Sequence, residues 1–214
     1  MRTHPVFLRV EGRPCAVIGS DAPAAAKLRA LVAAGADVTL IAPDEPADPV
    51  PGPFHHVART YRPGDLAGVV VAYASTRDPD SIRLLAAEAR RERVLLNVLD
   101  VPDACDFFAP AVVERGDFQV AIGTGGASPG LAAKVRGELD DRFGPEFGPY
   151  VAILAAVRRA LAARPERGAR IAALVDSPLL DHVRARRAGE IDRLLAETAG
   201  DGLTLARLGI ALDG

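Results

Sequence analysis

The sequence predicts an α/β protein whose first half is a doubly wound parallel sheet and whose last third is helical. A βαβ unit opens the chain, with a strand, a helix and a strand predicted at residues 15–18, 24–34 and 38–41. Strand and helix patterns alternate up to Val98, and the pattern after residue 147 is almost entirely helical. A βαβ unit at the start of a chain is typical of nucleotide-binding sheets.

The proline-rich segment at residues 43–53 interrupts this alternation. It holds five prolines in eleven residues, which excludes a helix or an inner strand and predicts a surface loop. The first half then continues with strands, one helix and a last strand, expected at residues 54–59, 69–73, 80–91 and 94–98.

The pattern changes after Asp106. Two short apolar runs at residues 111–113 and 118–122, joined by a tight turn, favour a hairpin rather than a crossover. A helix is expected at residues 128–139, followed by a domain boundary near Gly144. Breaks in the helical tail are predicted near Pro165, residues 177–178 and Gly200.

Composition excludes several classes of protein. No uninterrupted apolar run approaches the ~20 residues that span a bilayer, and the N-terminus lacks an apolar signal core. Two cysteines, Cys15 and Cys105, are too few for a disulfide scaffold. We therefore expect a cytoplasmic protein without a membrane partner.

Charge is distributed unevenly along the chain. Residues 134–187 contain 11 basic and 7 acidic residues, a balance of +4, which leaves −6 for the rest of a chain whose net charge is −2. Such a basic region suits a polyanionic small molecule or nucleic acid, or is simply a solvated helix face. With three tyrosines and no tryptophan, a base-stacking surface is not supported, and no nucleic-acid partner is expected.

The first turn between strand and helix departs from the dinucleotide-binding pattern. That pattern needs a second glycine so that a diphosphate can approach the amides at the helix N-terminus. Here the residues are, in order, Gly19, Ser20, Asp21, Ala22, Pro23 and Ala24. Ser20 and Asp21 are good N-cap residues and Pro23 suits a first helical turn, so the helix is able to satisfy its own amides. The turn is either a cofactor site or a structural turn of a sheet that no longer binds a dinucleotide.

The second strand also lacks a feature of dinucleotide sites, because Ala42 and Pro43 stand where an acidic residue would hold the ribose. By contrast, the stretch from Asn97 to Pro129 contains groups suited to chemistry. Asp100 follows an apolar strand, and a glycine-rich turn with hydroxyl groups, residues 123–129, precedes a helix. Open α/β sheets place their active sites at such positions, so we interpret this stretch as an active-site wall.

Several short strings match a known family in register over residues 5–142. They are Gly19, Ala24 and Lys27; residues 34–36, 38–39 and 42–43; Ala74, Ser75 and Thr76; residues 78–79; Asn97, Val98 and Asp100; residues 105–107 and 110–111; and Thr124, Gly125, Gly126, Ala127, Ser128 and Pro129. This set resembles the siroheme synthase N-terminal family. Its members are precorrin-2 dehydrogenases, and several are also sirohydrochlorin ferrochelatases.

The resemblance implies a Rossmann-like parallel sheet domain that binds NAD at residues 1–112, a dimerisation segment at residues 113–143, and a small helical domain at residues 144–214, assembled as a homodimer. The family oxidises the tetrapyrrole precorrin-2 to sirohydrochlorin by hydride transfer to NAD. Bifunctional members then insert ferrous iron, which is a substrate.

The resemblance also implies site residues. Asp100 matches the family's key aspartate, and Thr124 matches a hydroxyl residue beside the active site. Cofactor binding is expected at Gly19, Ser20, Asp21, Ala22, Pro23, Ala42, Pro43 and Thr76. Substrate binding is expected at Asn97, Thr124, Gly125, Gly126 and Ser128.

The chemistry requires a base. Hydride loss from a reduced tetrapyrrole is accompanied by proton loss, and metal insertion removes two pyrrole protons, so one carboxylate near the ring serves either reaction. Asp100 is the candidate base, and otherwise it is a turn cap. Asp106 is a second acid or a cap, and we favour the cap. The basic candidates for the substrate carboxylates are Lys134, Arg136, Arg158 and Arg159.

Two alternatives differ from the dehydrogenase hypothesis. One is a chelatase that has lost NAD-dependent oxidation, and the other is a non-catalytic tetrapyrrole- or nucleotide-binding module. No metal site is predicted, because His55 and His56 are adjacent in a strand and point to opposite faces. Cys105 is expected to be a small buried residue rather than an iron ligand.

Overall fold

The computed structural model describes residues 2–200 and 202–212. The chain folds as two units that divide between Ala109 and Pro110, and each unit has its own core. The predicted dimerisation segment and helical domain both lie in the second unit. The finer division at residue 143 stays a prediction.

The first unit is a parallel sheet with helices. Its elements are β1 (Pro14–Ile18), α1 (Ala22–Ala33), β2 (Asp37–Ile41), β3 (His55–Val57), β4 (Val71–Ala74), α2 (Pro79–Glu92) and β5 (Leu95–Val98). The strands are all parallel, in the order β3-β2-β1-β4-β5. The predicted Rossmann-like sheet is therefore confirmed. Because the chain crosses from one side of β1 to the other between β3 and β4, the topological switch point lies between β1 and β4.

Residues of β1 alternate between two buried faces. Cys15 and Val17 pack with Leu28 of α1 on one face, whereas Ile18 packs with Leu85 of α2 on the other. Strands buried on both faces read as continuous apolar runs rather than as an alternating pattern. This is why the strand at residues 15–18 was recognisable from the sequence.

Both helices of the first unit begin at an aspartate. Asp21 caps α1 by accepting a hydrogen bond from Ala24 N–H, and Asp78 caps α2 by accepting one from Ser81 N–H. A proline stands in the first turn of each helix, where its missing N–H removes no helical hydrogen bond. These caps place the helix starts one to two residues earlier than predicted.

The proline-rich segment at residues 43–53 forms no helix or strand, as predicted. Ala47 N–H donates to Ser20 O at 2.7 Å, and Asp48 pairs with Arg29 at 3.2 Å. A Cβ at Gly52 would lie 2.6 Å from a methyl group of Val32. The segment therefore packs along α1 and touches the turn after β1.

The second unit begins with an antiparallel hairpin and continues as helices. The elements are β6 (Ala111–Arg115), β7 (Phe118–Ile122), α3 (Pro129–Arg142), α4 (Phe147–Ala160), α5 (Arg167–Val175), α6 (Leu179–Arg184), α7 (Ala188–Ala199) and α8 (Leu205–Leu208). The hairpin pairs Val113 with Val120. The predicted hairpin and helical tail are both confirmed. No helix in the described part of the chain is long and apolar enough to cross a bilayer.

An aromatic cluster connects the hairpin to the helices. The rings of Phe118, Phe143 and Phe147 lie with centroids 4.9 to 5.1 Å apart. Arg115 adds an ion pair of 2.8 Å to Asp140 of α3. Beyond them, fully buried residues such as Ile153 form the core of the helical part. Aromatic pairs in such geometries contribute about 0.5–1.5 kcal/mol each beyond their buried area.

Candidate active site

A cleft of about 160 Å³ opens at the carboxyl ends of β1, β2 and β4. Gly19, Ala42, Pro43, Tyr61, Ser75 and Thr76 are part of its lining. Open α/β sheets bind ligands outside the carboxyl ends of their strands at the switch point. The structure therefore brings together four of the predicted cofactor-binding residues, Gly19, Ala42, Pro43 and Thr76, in one cleft.

Gly19 allows the turn after β1 to approach the end of β4. Its φ is +103°, and a Cβ built on it would lie 2.8 Å from Ser75 O. Its N–H donates to Ile41 O at 3.0 Å. Any side chain here would clash with backbone and strain the left-handed conformation. Glycine is thus required by the close packing of three strand ends.

Both carboxylate oxygens of Asp21 have a partner within the protein. Oδ1 accepts from Ala24 N–H at 3.0 Å, and Oδ2 accepts from the Ser75 hydroxyl at 2.6 Å. The carbonyl of Ser20 accepts from Ala47 N–H. The turn is therefore held by α1, by the residue after β4 and by the proline-rich segment.

Ala22 and Pro23, the other predicted cofactor-binding residues of this turn, are exposed at the start of α1. Pro23 has no N–H to offer a ligand. The nucleoside part of a dinucleotide therefore matches this site, whereas its diphosphate does not. Thr60 and Thr76 line the cleft where a nucleoside would lie, but the helix N-terminus that would receive a diphosphate is already capped by Asp21.

A buried carboxylate on α2 fixes one wall of the cleft. Glu88 is only 2% exposed, and it accepts hydrogen bonds from the Tyr61 hydroxyl, from Gly64 N–H at 2.8 Å and from Leu66 N–H at 3.1 Å. Burial, together with the hydrogen bond to Glu88, raises the pKa of Tyr61 well above its ordinary value. Tyr61 is therefore a fixed, neutral phenol in the cleft lining.

Asp100 stands in a tight turn after β5. Leu99 N–H donates to Ala74 O at 2.8 Å, and Val101 N–H donates to Val98 O at 3.1 Å. The φ of Asp100 is +61°, a left-handed conformation that aspartate adopts more readily than most residues. Its side chain is exposed and makes no hydrogen bond or ion pair with any described residue. This carboxylate is available to a ligand.

The other polar side chains of this segment hold its shape. Asn97 is 6% exposed, and its Nδ2 donates to Phe107 O at 2.8 Å. Asp106 Oδ2 accepts from Leu96 N–H of β5 at 3.0 Å, so its carboxylate holds the segment to the strand rather than capping the following turn as the sequence favoured. The Cys105 thiol donates to Val98 O at 3.2 Å, and burial raises its pKa. Substrate contact by Asn97 stays a prediction, because its amide is buried and engaged.

A half-buried lysine lies beside this segment. Lys27 Nζ is 5.5 Å from the centroid of the Tyr73 ring, and Tyr73 contacts Phe107 edge-on at 5.3 Å. Burial lowers the pKa of Lys27, which has no carboxylate partner among residues 2–200 and 202–212. The contact is a cation–π pair between α1 and Tyr73 of β4, and Phe107, from the segment after β5, packs against the same ring.

The predicted substrate turn lies in the second unit. Thr124 Oγ1 accepts from Ser128 N–H at 3.1 Å, and Ser128 Oγ accepts from Leu131 N–H at 3.2 Å as the N-cap of α3. Gly125 and Gly126 have φ of +61° and +82°, which explains the need for two glycines. The hydroxyl groups of Thr124 and Ser128 hold the shape of the turn, and substrate binding there stays a prediction.

The basic candidates lie on exposed helix faces. Lys134 is 4.0 Å from Glu138, and Arg136, Arg158 and Arg159 are exposed. Exposed pairs of this kind contribute little to stability. Their assignment to substrate carboxylates therefore rests on charge alone.

The adjacent histidines His55 and His56 contact different residues. His55 is exposed, 3.8 Å from Asp37, whereas His56 Nε2 donates to Ala42 O at 2.9 Å. The described residues contain no group of three or more His, Cys, Asp or Glu side chains able to hold a metal ion.

Sequence reasoning missed Ser75, Tyr61 and Glu88 as parts of the site. Ser75 is 54 residues from its partner Asp21, but the two follow neighbouring strands of a βαβ sheet, so their turns must meet. Glu88 stands among the apolar positions of an amphipathic helix. An acidic residue on the buried side of a helix is the signal that could have revealed it.

Comparison with known proteins relates this chain to proteins of siroheme biosynthesis. One family model, described as putative NAD(P)-binding, matches residues 6–111, and a second, described as sirohaem biosynthesis protein central, matches residues 115–142. A siroheme synthase of Methylobacillus flagellatus is 33% identical over 172 residues, which are 78% of this chain and 37% of the relative. A siroheme synthase of Methylococcus capsulatus is 34% identical over 203 residues, or 91% and 43% of the two chains.

The chain spans less than half the length of these curated relatives. A solved structure of SirC, a precorrin-2 dehydrogenase, superposes with a TM-score of 0.68 at 20% identity, covering 92% of this chain and 98% of SirC. That likeness shows a shared fold. With two consecutive family matches and these relatives, the chain belongs to the siroheme synthase N-terminal family.

Proposed function

We propose that this chain is an enzyme of siroheme biosynthesis that oxidises precorrin-2 to sirohydrochlorin with NAD. Family membership supports this reaction, as does the cleft at the switch point of the sheet. The observation that carries it is Asp100, an exposed carboxylate without a partner among the described residues, held in a left-handed turn after β5.

The reaction removes a hydride and a proton from the reduced tetrapyrrole. NAD supplies the hydride acceptor. Asp100 takes the proton on a carboxylate oxygen, so two electrons and one proton leave as hydride and the second proton leaves through the base. The hydrogen bonds of Asn97 and Asp106 keep the backbone around Asp100 in place, which limits the motion of the base.

The cofactor would be held by the cleft of the first unit. Gly19, which lets the turn after β1 pack against Ser75, lines this cleft together with Thr60 and Thr76. The hydrogen bond from the Tyr61 hydroxyl to Glu88 fixes the tyrosine, whose aromatic ring forms an apolar part of the cleft wall. These groups bind and orient the cofactor, and the proton chemistry is left to Asp100.

The substrate carries eight carboxylate arms, which suits the turn from Thr124 to Ser128 and the basic side chains Lys134 and Arg136. We further propose a homodimer formed through residues 113–143. Leu131 in this segment is 53% exposed, and Val112, the residue just before the segment, is 37% exposed. Apolar side chains left uncovered on a hairpin and a helix favour a protein partner.

A second candidate function is metal insertion without oxidation. Asp21 favours it, because a carboxylate at the N-terminus of α1 opposes a cofactor diphosphate. In that reaction ferrous iron is the substrate, and Asp100 accepts pyrrole protons as the metal–nitrogen bonds form. The same base therefore serves both candidates.

An assay with purified protein separates the candidates. Precorrin-2 is supplied with and without NAD, and sirohydrochlorin is supplied with ferrous or cobaltous ion, while the absorption spectra are followed. We expect conversion of precorrin-2 only when NAD is present. No oxidation together with metal insertion would replace the proposal by the second candidate, and neither reaction would indicate a non-catalytic binding module.

A further inference from the structure

The turn that begins α1 carries an anion of its own. In a dinucleotide-binding sheet, the N-terminus of the helix after the first strand receives the diphosphate of the cofactor. Here that helix terminus is occupied by the Asp21 carboxylate, whose Oδ1 is 3.0 Å from Ala24 N. A negative charge thus stands where the fold normally attracts one.

Ser75 holds this carboxylate across the switch point. The serine directly follows β4, and its hydroxyl donates to Asp21 Oδ2 at 2.6 Å. The backbones of the two turns are also close, since a Cβ on Gly19 would lie 2.8 Å from Ser75 O. The carboxylate is therefore fixed between the two strand ends that flank the crevice used by dinucleotides in this fold class.

We propose that Asp21 is an internal competitor of the cofactor diphosphate and sets the ligand preference of the cleft. Its charge disfavours ligands that bring a diphosphate to α1, whereas a nucleoside without phosphate is unaffected. This inference rests on the proposed use of NAD. It identifies Asp21 as a specificity-determining residue that lowers affinity for NAD and for nucleoside diphosphates.

Asparagine at position 21 isolates the charge. Asparagine is as good an N-cap as aspartate, so Asp21→Asn keeps an oxygen for Ala24 N–H and the start of α1. Asp78→Asn is the matched control. Asp78 caps α2 in the same unit by accepting from Ser81 N–H at 2.9 Å, so the control removes one charge from an equivalent cap.

Calorimetric titrations with NAD, ADP and adenosine test the proposal. We expect Asp21→Asn to bind NAD and ADP on the order of tenfold more tightly than the wild type. Adenosine affinity should be equal in the two proteins. Asp78→Asn should match the wild type with all three ligands. The gain should shrink as salt is added, because the charge is near the surface.

Equal affinity of the wild type and Asp21→Asn for ADP would overturn the proposal, and so would an equal gain for adenosine. If neither protein binds NAD but Asp21→Asn still binds ADP more tightly, the proposed use of NAD fails and the inference about Asp21 stands. If neither protein binds any phosphate ligand, both are overturned.

Discussion

Asp21 and Asp100 each follow a strand of the same parallel sheet, but their carboxylates are used in opposite ways. Asp21 has a partner for each oxygen, the Ala24 N–H and the Ser75 hydroxyl. Asp100 has none among the described residues and is exposed in a left-handed turn. A carboxylate whose oxygens accept hydrogen bonds within the protein stabilises the fold, whereas a carboxylate without such partners is available to a ligand.

The difference extends to the neighbouring residues. Around the cleft, carboxylates such as Glu88 and Asp65 anchor loops. Around Asp100, the anchoring is done by Asn97 and Asp106, whereas the exposed carboxylates of Asp100 and Asp103 have no partner among the described residues. The sheet edge therefore has one region where acids hold the fold and another where acids stay exposed.

The largest expected effect is the loss of catalytic turnover in the Asp100→Asn variant. Loss of a general base reduces the rate by about 10²–10⁴-fold, while the exposed side chain makes no hydrogen bond with a described residue. We expect this loss of kcat with an unchanged melting temperature, measured by initial rates with precorrin-2 and by thermal denaturation. Full activity of Asp100→Asn would show that the base is elsewhere.

The next effect is on stability, through Glu88→Ala. This change leaves the Tyr61 hydroxyl and the N–H groups of Gly64 and Leu66 without their acceptor. We expect the free energy of unfolding to fall by about 3 kcal/mol, measured by urea denaturation. Glu92→Ala on the same helix, which removes a surface pair with Arg91, should cost less than about 0.5 kcal/mol. Similar losses in both variants would contradict an anchoring role for Glu88.

A smaller and pH-dependent effect is expected from Asp65→Asn. Arg59 donates to both oxygens of Asp65 at 2.7 Å, and this hydrogen bonding lowers the pKa of Asp65 below its ordinary 3.8. Because the folded pKa lies below the unfolded one, the stabilisation is complete above pH 3.8 and is lost as the pH falls through the folded pKa. We expect wild type and variant to differ by about 1.5 kcal/mol at neutral pH.

That difference should close as the pH is lowered below 3.8, measured by denaturant unfolding over a pH series. A constant difference at all pH values would show that the ion pair with Arg59 is not its source.

The smallest effects contrast the two aspartates directly. Asp21→Ala removes a helix cap and should destabilise the protein by about 1 kcal/mol. Asp100→Gly relieves a left-handed conformation and should stabilise it by about 0.5 kcal/mol. Thermal denaturation of both variants checks the opposite signs. Destabilisation by Asp100→Gly would mean that the carboxylate has a structural role.

Much of the fold was predictable from local signals. The continuous apolar runs of β1 and β2 arise because both faces of the sheet are covered. The short turn between residues 113 and 118 allows only a hairpin. The place of Asp100 directly after a strand, at the edge where such sheets put their sites, was also predictable, and its role as the base stays a prediction.

The rest depends on contacts between distant residues. The pairing of Ser75 with Asp21 spans 54 residues, and that of Tyr61 with Glu88 spans 27. The hydrophobic periodicity of the sequence does not reveal such pairs, because they depend on the order of the strands and on the paths of the loops. The burial of Asn97 also depends on a distant residue, because the chain folds back so that Phe107 O accepts from the Asn97 amide.

The central position of β1 has a consequence for synthesis of the chain. β1 is made first, yet it lies between β2 and β4, and its second neighbour, Val71–Ala74, comes far later. Pairings between distant segments form slowly, because loop closure must precede the contacts that favour it. On the ribosome, one edge of β1 therefore lacks its hydrogen-bonding partner until β4 emerges, and Ile18 stays uncovered until α2 follows. The hairpin of the second unit joins neighbouring segments and has no such delay.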